Sequence, residues 1–345
     1  MPINRQVVLT SRPHGIPQAE HFAIRDSALP ALQPGELLVR NLYLSVDPAM
    51  RGWVNAAANY SDPVALGEVM RSFAVGRVVE SRHPDYAAGM HVMGMLGWQD
   101  YAVTDGRPIR RIVRETDLPL SLSLGVLGLN GITAHFALST LGRPQPGETL
   151  VVSTAAGAVG SIVGQLGRLA GCRVVGIAGG EEKRRICLDE FGFDAAIDYR
   201  AGDLAQALTQ SCPDGVDVYF DNTAGRISDA VLPRINRHAR IVVCGTAAIA
   251  SWDPWPEGPR VERHLLNKAA QMSGFLVWDY EHRYEEAVAR LAPLVRSGAL
   301  RYREEIQEGL ESAPGAIADL YAGRNLGKRL IRLTSNDECT YGQQG

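Results

Sequence analysis

Cysteine is scarce in this sequence and nowhere paired. Five cysteines are scattered over 345 residues without a C-x-x-C spacing. This pattern excludes a disulfide framework of the kind that holds small secreted domains together. The simplest expectation is a reduced, cytoplasmic protein. The cysteines are Cys172, Cys187, Cys212, Cys244 and Cys339.

Charge imbalance and long apolar runs are also missing. The formal net charge is only −3, so no general attraction to nucleic acid or to an anionic membrane is expected. No apolar run approaches the length of a membrane span, and the N-terminal stretch lacks the apolar core of a signal peptide. The composition is 46% hydrophobic and 21% charged, which is ordinary for a globular protein long enough for two domains.

The stretch Thr149–Gly160, TLVVSTAAGAVG, predicts where a nucleotide binds. Its apolar, β-branched start indicates a buried parallel strand. The residues that follow match G-x-G-x-x-G with Ala155 in the first glycine position. Gly157 would let the backbone approach a pyrophosphate, and Gly160 would let the next helix pack closely on the strand.

A β-α-β unit surrounds this motif. A helix is predicted from Ala158 to about Ala170, with its N-terminal N–H groups directed at the same anion. Gly164 and Gly167 inside it indicate close packing on a sheet. The apolar run 172–178 predicts the second strand, and the whole unit favours dinucleotide binding over a flavodoxin-like or other α/β alternative.

The rest of the chain changes character after Leu120. Short strands punctuated by Gly and Pro predict a small β-barrel before it. Strands and helices then alternate, which predicts an α/β fold with a doubly wound parallel sheet. The main predicted strands are 6–9, 36–44, 73–80, 88–94, 98–103, 195–198, 216–221, 239–245, 270–277 and 328–333, and the further helices are 131–138, 181–191, 204–210, 228–235 and 284–297.

Five stretches, in order along nearly the whole chain, carry a family resemblance. They are Tyr43–Gly52, Ala155–Gln165, Phe220–Asn222, Gly274–Val277 and Asn325–Lys328. Together they resemble the zinc-free branch of the medium-chain dehydrogenase/reductase superfamily. Within that branch they look like the leukotriene dehydrogenase/prostaglandin reductase group, which includes plant double-bond reductases and bacterial curcumin reductases.

The resemblance implies a domain plan. A GroES-like β-barrel catalytic domain, residues 1–126 and 301–345, would enclose an inserted Rossmann NADP-binding domain, residues 127–300. The active site would lie in the cleft between them. The resemblance also implies a homodimer, joined edge to edge through the cofactor sheets near residues 270–277, that acts on a small-molecule substrate.

A metal site is not predicted. Zinc prefers a compact set of Cys and His ligands, and alcohol dehydrogenases of this superfamily supply them from the first domain. Here no cysteine precedes Cys172, and the histidines of the predicted barrel have no paired spacing. We therefore expect a metal-free enzyme. The histidines concerned are His14, His21, His83 and His91.

The end of the second strand bears on the choice of nicotinamide cofactor. An acidic residue there usually holds the ribose 2′-hydroxyl of NAD. Glu181 and Glu182, however, follow two glycines and are suited to begin the next helix. Gly179 and Gly180 leave room for a 2′-phosphate, to which Lys183 can donate. The sequence therefore predicts NADPH rather than NADH.

Further cofactor contacts follow from the resemblance. In the resembled group the residues that match Lys183 and Tyr199 contact the 2′-phosphate. The charge of Arg184 in this sequence would add to the positive field there. The alternative interpretation of the basic run 183–185 is a solvated helix face. The other implied contacts are Ala156, Gly157, Ala158, Val159, Gly160, Asn222, Cys244, Gly245, Thr246, Phe275, Leu276, Val277 and Asn325.

The leading hypothesis for the reaction is reduction of an activated carbon–carbon double bond with NADPH. Hydride would reach the β-carbon of an enal or enone, and preorganised donors must stabilise the negative charge that develops on the carbonyl oxygen. This chemistry needs neither a metal nor a strong acid. The alternatives are a quinone reductase of the same superfamily and an NADPH-binding sensor without turnover.

The substrate pocket departs from the resembled group. Tyrosine is common in that group at the positions of Ala49 and His135, and no tyrosine follows the Cys244-Gly245 turn. Loss of one enolate donor typically lowers the rate by about 10²–10³. We expect a more apolar pocket in which the cofactor ribose hydroxyl and Trp252 hold the charge, although a loop tryptophan more often serves packing. Further candidate donors are Tyr43, Tyr60 and His135.

The cofactor assignment can be tested at one lysine. Lys183→Ala should raise the Michaelis constant for NADPH strongly and leave that for NADH nearly unchanged, because only NADPH carries the extra phosphate whose partner is lost. Steady-state kinetics with both cofactors measures this. An equal loss with the two cofactors would sink the assignment.

Overall fold

The chain divides into two compact units in this computed structural model, which describes residues 3–56, 61–249, 252 and 254–333. One unit, here called the barrel unit, runs to Gly125 and resumes at Glu304. The other, the nucleotide unit, is Val126–Arg303. The chain therefore crosses between the units twice, at 125–126 and at 303–304.

The described residues form fifteen strands. They are β1 (Ile3–Leu9), β2 (Phe22–Ala28), β3 (Leu37–Ser45), β4 (Phe73–Ser81), β5 (His91–Met95), β6 (Tyr101–Thr104), β7 (Ile109–Ile112), β8 (Thr149–Ser153), β9 (Arg173–Ala178), β10 (Ala195–Asp198), β11 (Val216–Asp221), β12 (Ile235–Val243), β13 (Gln271–Gly274), β14 (Glu304–Glu308) and β15 (Lys328–Arg332).

The same residues form nine α-helices, with short 3₁₀ or π segments beside several of them. The helices are α1 (Met50–Trp53), α2 (Leu129–Phe136), α3 (Gly160–Leu169), α4 (Glu181–Arg185), α5 (Leu204–Ser211), α6 (Gly225–Val231), α7 (Glu262–Lys268), α8 (Tyr284–Arg296) and α9 (Ala313–Tyr321). The π segments Ala137–Gly142 and Ile186–Glu190 continue α2 and α4.

The barrel unit is built around β3. A seven-stranded sheet has the order β14-β15-β3-β4-β5-β7, and β6 also pairs with β3. Most residues of β3 are buried, because this strand pairs with β15, β4 and β6. A separate ribbon pairs β1 with β2. Sequence patterns missed β2, whose residues are mostly exposed, and β14, whose residues are mostly polar.

The nucleotide unit contains the predicted doubly wound sheet. Its six strands have the order β10-β9-β8-β11-β12-β13, and every pair is parallel. The strand order reverses between β8 and β11, which makes this the topological switch point at whose carboxyl edge ligands bind. The structure thus confirms the predicted fold class of this unit.

Helix α3 packs on the sheet through its glycines, as its sequence indicated. A Cβ atom at Gly164 would lie 2.0 Å from Cζ of Phe193, and one at Gly167 would lie 2.3 Å from Cδ2 of Leu150. Neither distance is possible for a real side chain, so both positions require glycine for close approach. Glycine is unfavourable inside a helix, but here it permits the close packing of α3 on the sheet.

Two predicted helices have wrong boundaries. The helix expected from Ala158 begins at Gly160, because the turn that precedes it takes two more residues. The helix expected at 228–235 is α6, and Ile235 already begins β12. A short apolar run at a helix–strand junction fits either element, so its periodicity cannot locate the boundary.

Glu304, the first residue of β14, is a poorly satisfied buried acid. Its Oε2 accepts a hydrogen bond from Ser121 Oγ at 2.7 Å, whereas its Oε1 is buried and has no partner among the described residues. Burial raises the pKa of this carboxyl to about 7, although the Ser121 hydrogen bond and the charge of Lys328 both lower it. A carboxyl in this setting favours the protonated form.

This pKa predicts a pH dependence of stability. Since the folded-state pKa exceeds the unfolded one of about 4.3, the folded state binds the proton more tightly. The free energy of unfolding should therefore decrease as the pH rises from about 4.3 through 7, by at most about 3 kcal/mol from this group. Glu304→Gln, which mimics the neutral acid, should remove that decrease in chemical denaturation curves.

The matched control lies on the same strand. Glu308→Gln changes an exposed carboxylate paired with Arg332 and should keep the wild-type decrease between pH 5 and 8. A Glu304→Gln profile parallel to wild type over this range would contradict the assignment.

Candidate cofactor site

The turn between β8 and α3 has the shape that the glycine motif predicted. A Cβ at Gly157 would lie 2.8 Å from Cγ2 of Thr154, and one at Gly160 would lie 2.3 Å from the Thr154 carbonyl oxygen. The left-handed residue of this turn is Thr154, with φ of 54°. Ala155 therefore does not itself supply the left-handed conformation, which explains why alanine is accepted in the first glycine position.

The N-terminus of α3 follows this turn at the carboxyl edge of the sheet. The backbone N–H groups of Ser161, Ile162 and Val163 donate to the Gly157 and Val159 carbonyls, and the first turn of the helix contains no acidic residue. Ala156 and Gly160 are buried, and residues 157–159 are half-buried. A glycine cradle ahead of a ten-residue helix fits the pyrophosphate of a dinucleotide.

The ends of β9 and β10 form a second part of the site. A Cβ at Gly179 would lie 2.9 Å from Cε1 of Tyr199, so glycine lets the tyrosine ring lie against the backbone. Gly180 has φ of 96°, and a Cβ there would meet nothing within 4 Å. Gly180 N–H donates to Asp198 at 2.8 Å. Lys183 lies one turn into α4, half-buried, so this edge combines open space with a cationic residue, as a phosphate requires.

The acids next to this edge belong to the helix. Glu181 is the first residue of α4 and pairs with Arg184 and Arg185 at 2.6 and 3.0 Å. The hydrogen bond from Arg184 is the main cause that lowers the pKa of the Glu181 carboxyl to about 2. The charge of Glu181 is therefore already engaged within the helix, where an acid also suits the helix dipole.

Asn222 follows β11 and faces the end of β8. Its backbone N–H donates to Ser153 Oγ at 2.8 Å, and its Nδ2 donates to the Ser153 carbonyl at 2.7 Å. A Cβ at Gly245 would lie 3.0 Å from the Asn222 carbonyl oxygen. The turn that contains Cys244, Gly245 and Thr246 thus approaches the Asn222 backbone closely.

The thiol of Cys244 is chemically quiet. Burial raises its pKa to about 12, and the charge of Asp221 adds to the effect. The thiolate, which is the nucleophilic form, is therefore scarcely populated near neutral pH. Cys244 can contribute to the site through its backbone and its size but not as a nucleophile.

A stack of aromatic rings supports the segment after β13. Phe275 is 8% exposed and stacks on Tyr280 with ring centroids 5.2 Å apart, and Tyr280 stacks on Phe136 at 4.8 Å. Leu276 is exposed and Val277 half-buried. The edge of His135 meets Phe136, and burial is the main cause that lowers the pKa of this imidazole.

The candidate enolate donors differ in exposure. Tyr43 is only 7% exposed, on the central strand β3 of the barrel unit, whereas Trp252 is 46% exposed and packs edge-on against Trp255 at 5.1 Å. Tyr60 lies outside the described residues. The remaining predicted positions are both in the barrel unit: Ala49 precedes α1, and the buried Asn325 donates to the Gly327 carbonyl at 2.9 Å.

Within the nucleotide unit, the structure brings most predicted cofactor residues to one edge. The turns after β8, β11 and β12 contain Gly157, Asn222 and Gly245, while Lys183 lies in α4, which follows β9, and Tyr199 directly follows β10. Sequence reasoning missed the buried carboxyl of Asp221, which accepts hydrogen bonds from Ser153, Thr223 and Ala224. The signal for it was an acid at the end of a mostly apolar strand.

Comparison with known proteins agrees with this geometry. Residues 5–112 match a family model described as N-terminal domain of oxidoreductase, and residues 158–293 match one described as zinc-binding dehydrogenase. The NADPH-dependent curcumin reductase of Escherichia coli is 44% identical over 97% of this chain and 98% of its own length. The chain belongs to the zinc-free medium-chain dehydrogenases/reductases.

Two further members of this group extend the comparison. The NADP(+)-dependent 2-alkenal reductase of Nicotiana tabacum is 37% identical over 96% of this chain and 98% of its own length. The crystal structure of CurA from Vibrio vulnificus in complex with NADPH superposes with a TM-score of 0.90 at 44% identity, covering 96% of this chain and 99% of that one. The GroES-like and Rossmann domain pair is thus the fold of this chain.

One matching family model is described as zinc-binding, but the described part of this chain contains no matching set of zinc ligands. Among residues 3–56, 61–249, 252 and 254–333, no group of three or more His, Cys, Asp or Glu is placed to hold a metal ion. The barrel histidines serve locally; for example, His83 Nδ1 accepts from the Asp85 backbone at 3.1 Å. Metal independence stays a prediction. No helix within the described ranges is long and apolar enough to cross a membrane.

The close contact at Gly160 predicts a binding defect. Gly160→Ala places a Cβ against the Thr154 carbonyl, so the glycine turn must shift and the dissociation constant for NADPH should increase at least about tenfold, with about 1–3 kcal/mol of lost stability. Titration of NADPH fluorescence measures the first quantity and thermal unfolding the second.

Gly315→Ala is the matched control for this change. A Cβ there meets nothing within 4 Å, and the residue lies in α9 of the barrel unit, so NADPH binding should stay as in wild type. If Gly160→Ala binds NADPH as tightly as this control, the glycine turn is not the pyrophosphate site.

Proposed function

We propose that this chain reduces the activated carbon–carbon double bond of α,β-unsaturated aldehydes or ketones. It is an oxidoreductase whose cofactor is NADPH, as in the curcumin reductase that it resembles over nearly its full length. The observation that carries the proposal is the cradle at the carboxyl edge of the nucleotide sheet. Relatives named for curcumin and 2-alkenal reduction support the choice of a conjugated substrate.

Each part of the edge would hold one part of the cofactor. The glycine turn before α3 would receive the pyrophosphate on the helix N-terminus. Lys183 and Tyr199 would receive the 2′-phosphate, for which the open space beside Gly180 leaves room. Asn222, the Cys244–Thr246 turn and residues 275–277 would contact the nicotinamide end, with Phe275 held by its stack on Tyr280.

The protein's task in the reaction is to hold the substrate and to stabilise charge. The bound nicotinamide supplies the hydride that adds to the β-carbon of the substrate. Negative charge then develops on the carbonyl oxygen, where a hydrogen-bond donor lowers the barrier. Trp252 is our first choice for that donor among the protein side chains, since its indole is accessible, whereas Tyr43 lies buried in a β-strand.

We also propose that two copies associate through β13. This strand is the last in the order of the nucleotide sheet and pairs only with β12 among the described strands. Gln271 and Gly274 at its ends are exposed. An unpaired parallel edge invites pairing with another chain, and sedimentation equilibrium at the dimer mass would support this assembly.

A substrate panel tests the reaction. The protein is incubated with NADPH and a set of 2-alkenals, enones and quinones, while loss of reduced cofactor is followed and the products are identified. Saturated carbonyl products support the proposal. Hydroquinone as the main product would favour a quinone reductase, and tight NADPH binding without turnover would favour a sensor.

The donor assignment is tested with the best enone from that panel. Trp252→Phe keeps the bulk and removes the N–H, so we expect a decrease in turnover of about 10²-fold if nothing replaces the donor. Trp255→Phe, which changes the neighbouring indole, should keep turnover near the wild-type value. Unchanged turnover in Trp252→Phe together with inactivity of Tyr43→Phe or Tyr60→Phe would overturn the choice of donor.

A further inference from the structure

The carboxyl group of Asp221 lies at the centre of the nucleotide sheet. Asp221 is the last residue of β11, which pairs with β8 on one side and β12 on the other. The residue is 3% exposed. It therefore lies beneath the switch point, with the turns after both neighbouring strands on either side of it.

An unusual number of donors converge on this carboxyl. Oδ1 accepts from the backbone N–H groups of Thr223 and Ala224, each at 2.9 Å, and from Tyr219 OH at 3.0 Å. Oδ2 accepts from Ser228 Oγ. Thr223 Oγ1 and Ser153 Oγ add longer bonds to Oδ1, at 3.2 and 3.3 Å.

These bonds connect Asp221 to three loops. Ser153 Oγ, which donates to the carboxyl, also accepts from the Asn222 N–H and so ties the end of β8. The Asp221 carbonyl accepts from the backbone N–H groups of Cys244 and Gly245 at 2.8 and 3.1 Å, which fixes the turn after β12. The carboxyl also restrains the tight turn after β11, in which Ala224 has φ of 58°.

We infer that Asp221 is the positioning residue of the cofactor site: its buried carboxylate holds the ends of β8 and β11, beside the backbone carbonyl that fixes the turn after β12, in the arrangement that binds NADPH. The inference rests on the proposed assignment of these three turns to the cofactor. Asp221 acts through the turns and through Ser153 rather than by touching the cofactor.

Asp221→Asn is the sharpest test, because it keeps the shape and removes the charge. One oxygen becomes an NH₂ group, which cannot accept from Ser228, so a donor-rich buried site loses an acceptor. Losses of this kind change an equilibrium by about five- to 100-fold. We expect the dissociation constant for NADPH, measured by fluorescence titration of the purified full chain, to increase at least about tenfold.

Asp217→Asn is the matched control on the same strand. Asp217 accepts from the Thr149 N–H and from Asn236 Nδ2, both at 2.8 Å, at the opposite end of β11. The Asp217→Asn change should lower the thermal midpoint as Asp221→Asn does but leave NADPH binding unchanged. If the dissociation constant for NADPH changes equally in the Asp217→Asn and Asp221→Asn variants, or does not change in Asp221→Asn, the role of Asp221 is merely structural and the inference is overturned.

Milder variants keep the inference open to refutation if Asp221→Asn folds poorly. Tyr219→Phe and Ser228→Ala each remove one donor to the carboxylate and should raise the NADPH dissociation constant a few-fold. Wild-type binding in both would overturn the positioning role. Because binding is read directly, a wild-type protein that binds NADPH but reduces no enone would refute the proposed reaction and leave this inference standing.

Discussion

The adjacency of β8 and β11 is the constraint on which the candidate cofactor site depends. These two parallel strands pair in the middle of the nucleotide sheet, and the chain winds outward from them in opposite directions. Because the connections leave on opposite sides, a crevice opens at their carboxyl ends. The glycine turn, Asn222 and the turn after β12 all lie at that edge for this reason alone.

Two acidic side chains near this edge are engaged by neighbouring groups of the same unit. The acid that starts α4 is engaged by arginines of its own helix. The Asp221 carboxylate is turned inward and covered by donors, so the backbone beside it is fixed without an exposed negative group.

The barrel unit links two of its family-like stretches through one buried lysine. Lys328 Nζ donates to Ser45 Oγ, to the Val46 carbonyl and to Asp47 Oδ1, at 2.6, 3.0 and 2.6 Å. A buried ammonium is costly unless all its donors are satisfied, and here three acceptors meet it. The bonded residues are 281 to 283 positions apart in sequence, yet this ion pair makes the placement of the two stretches interdependent.

The sequence by itself determined the fold class, the glycine turn and the family. These are local or periodic features: an apolar strand, glycines where a Cβ would collide, and alternation of strands and helices. It did not show β2 or β14, because strands whose residues are mostly exposed or polar lack the alternating apolar pattern that periodicity detects.

Only the tertiary structure decided which groups hold the site together. The bonds of Asp221 to Ser153, and of its carbonyl to Cys244 and Gly245, join residues that are tens of positions apart. The pKa of Glu304 depends in the same way on its burial, which raises it, and on Ser121 and Lys328, which lower it. No local pattern encodes such contacts, since they arise only when separate strands are brought side by side, and burial then sets the charge and the hydrogen bonding of each group.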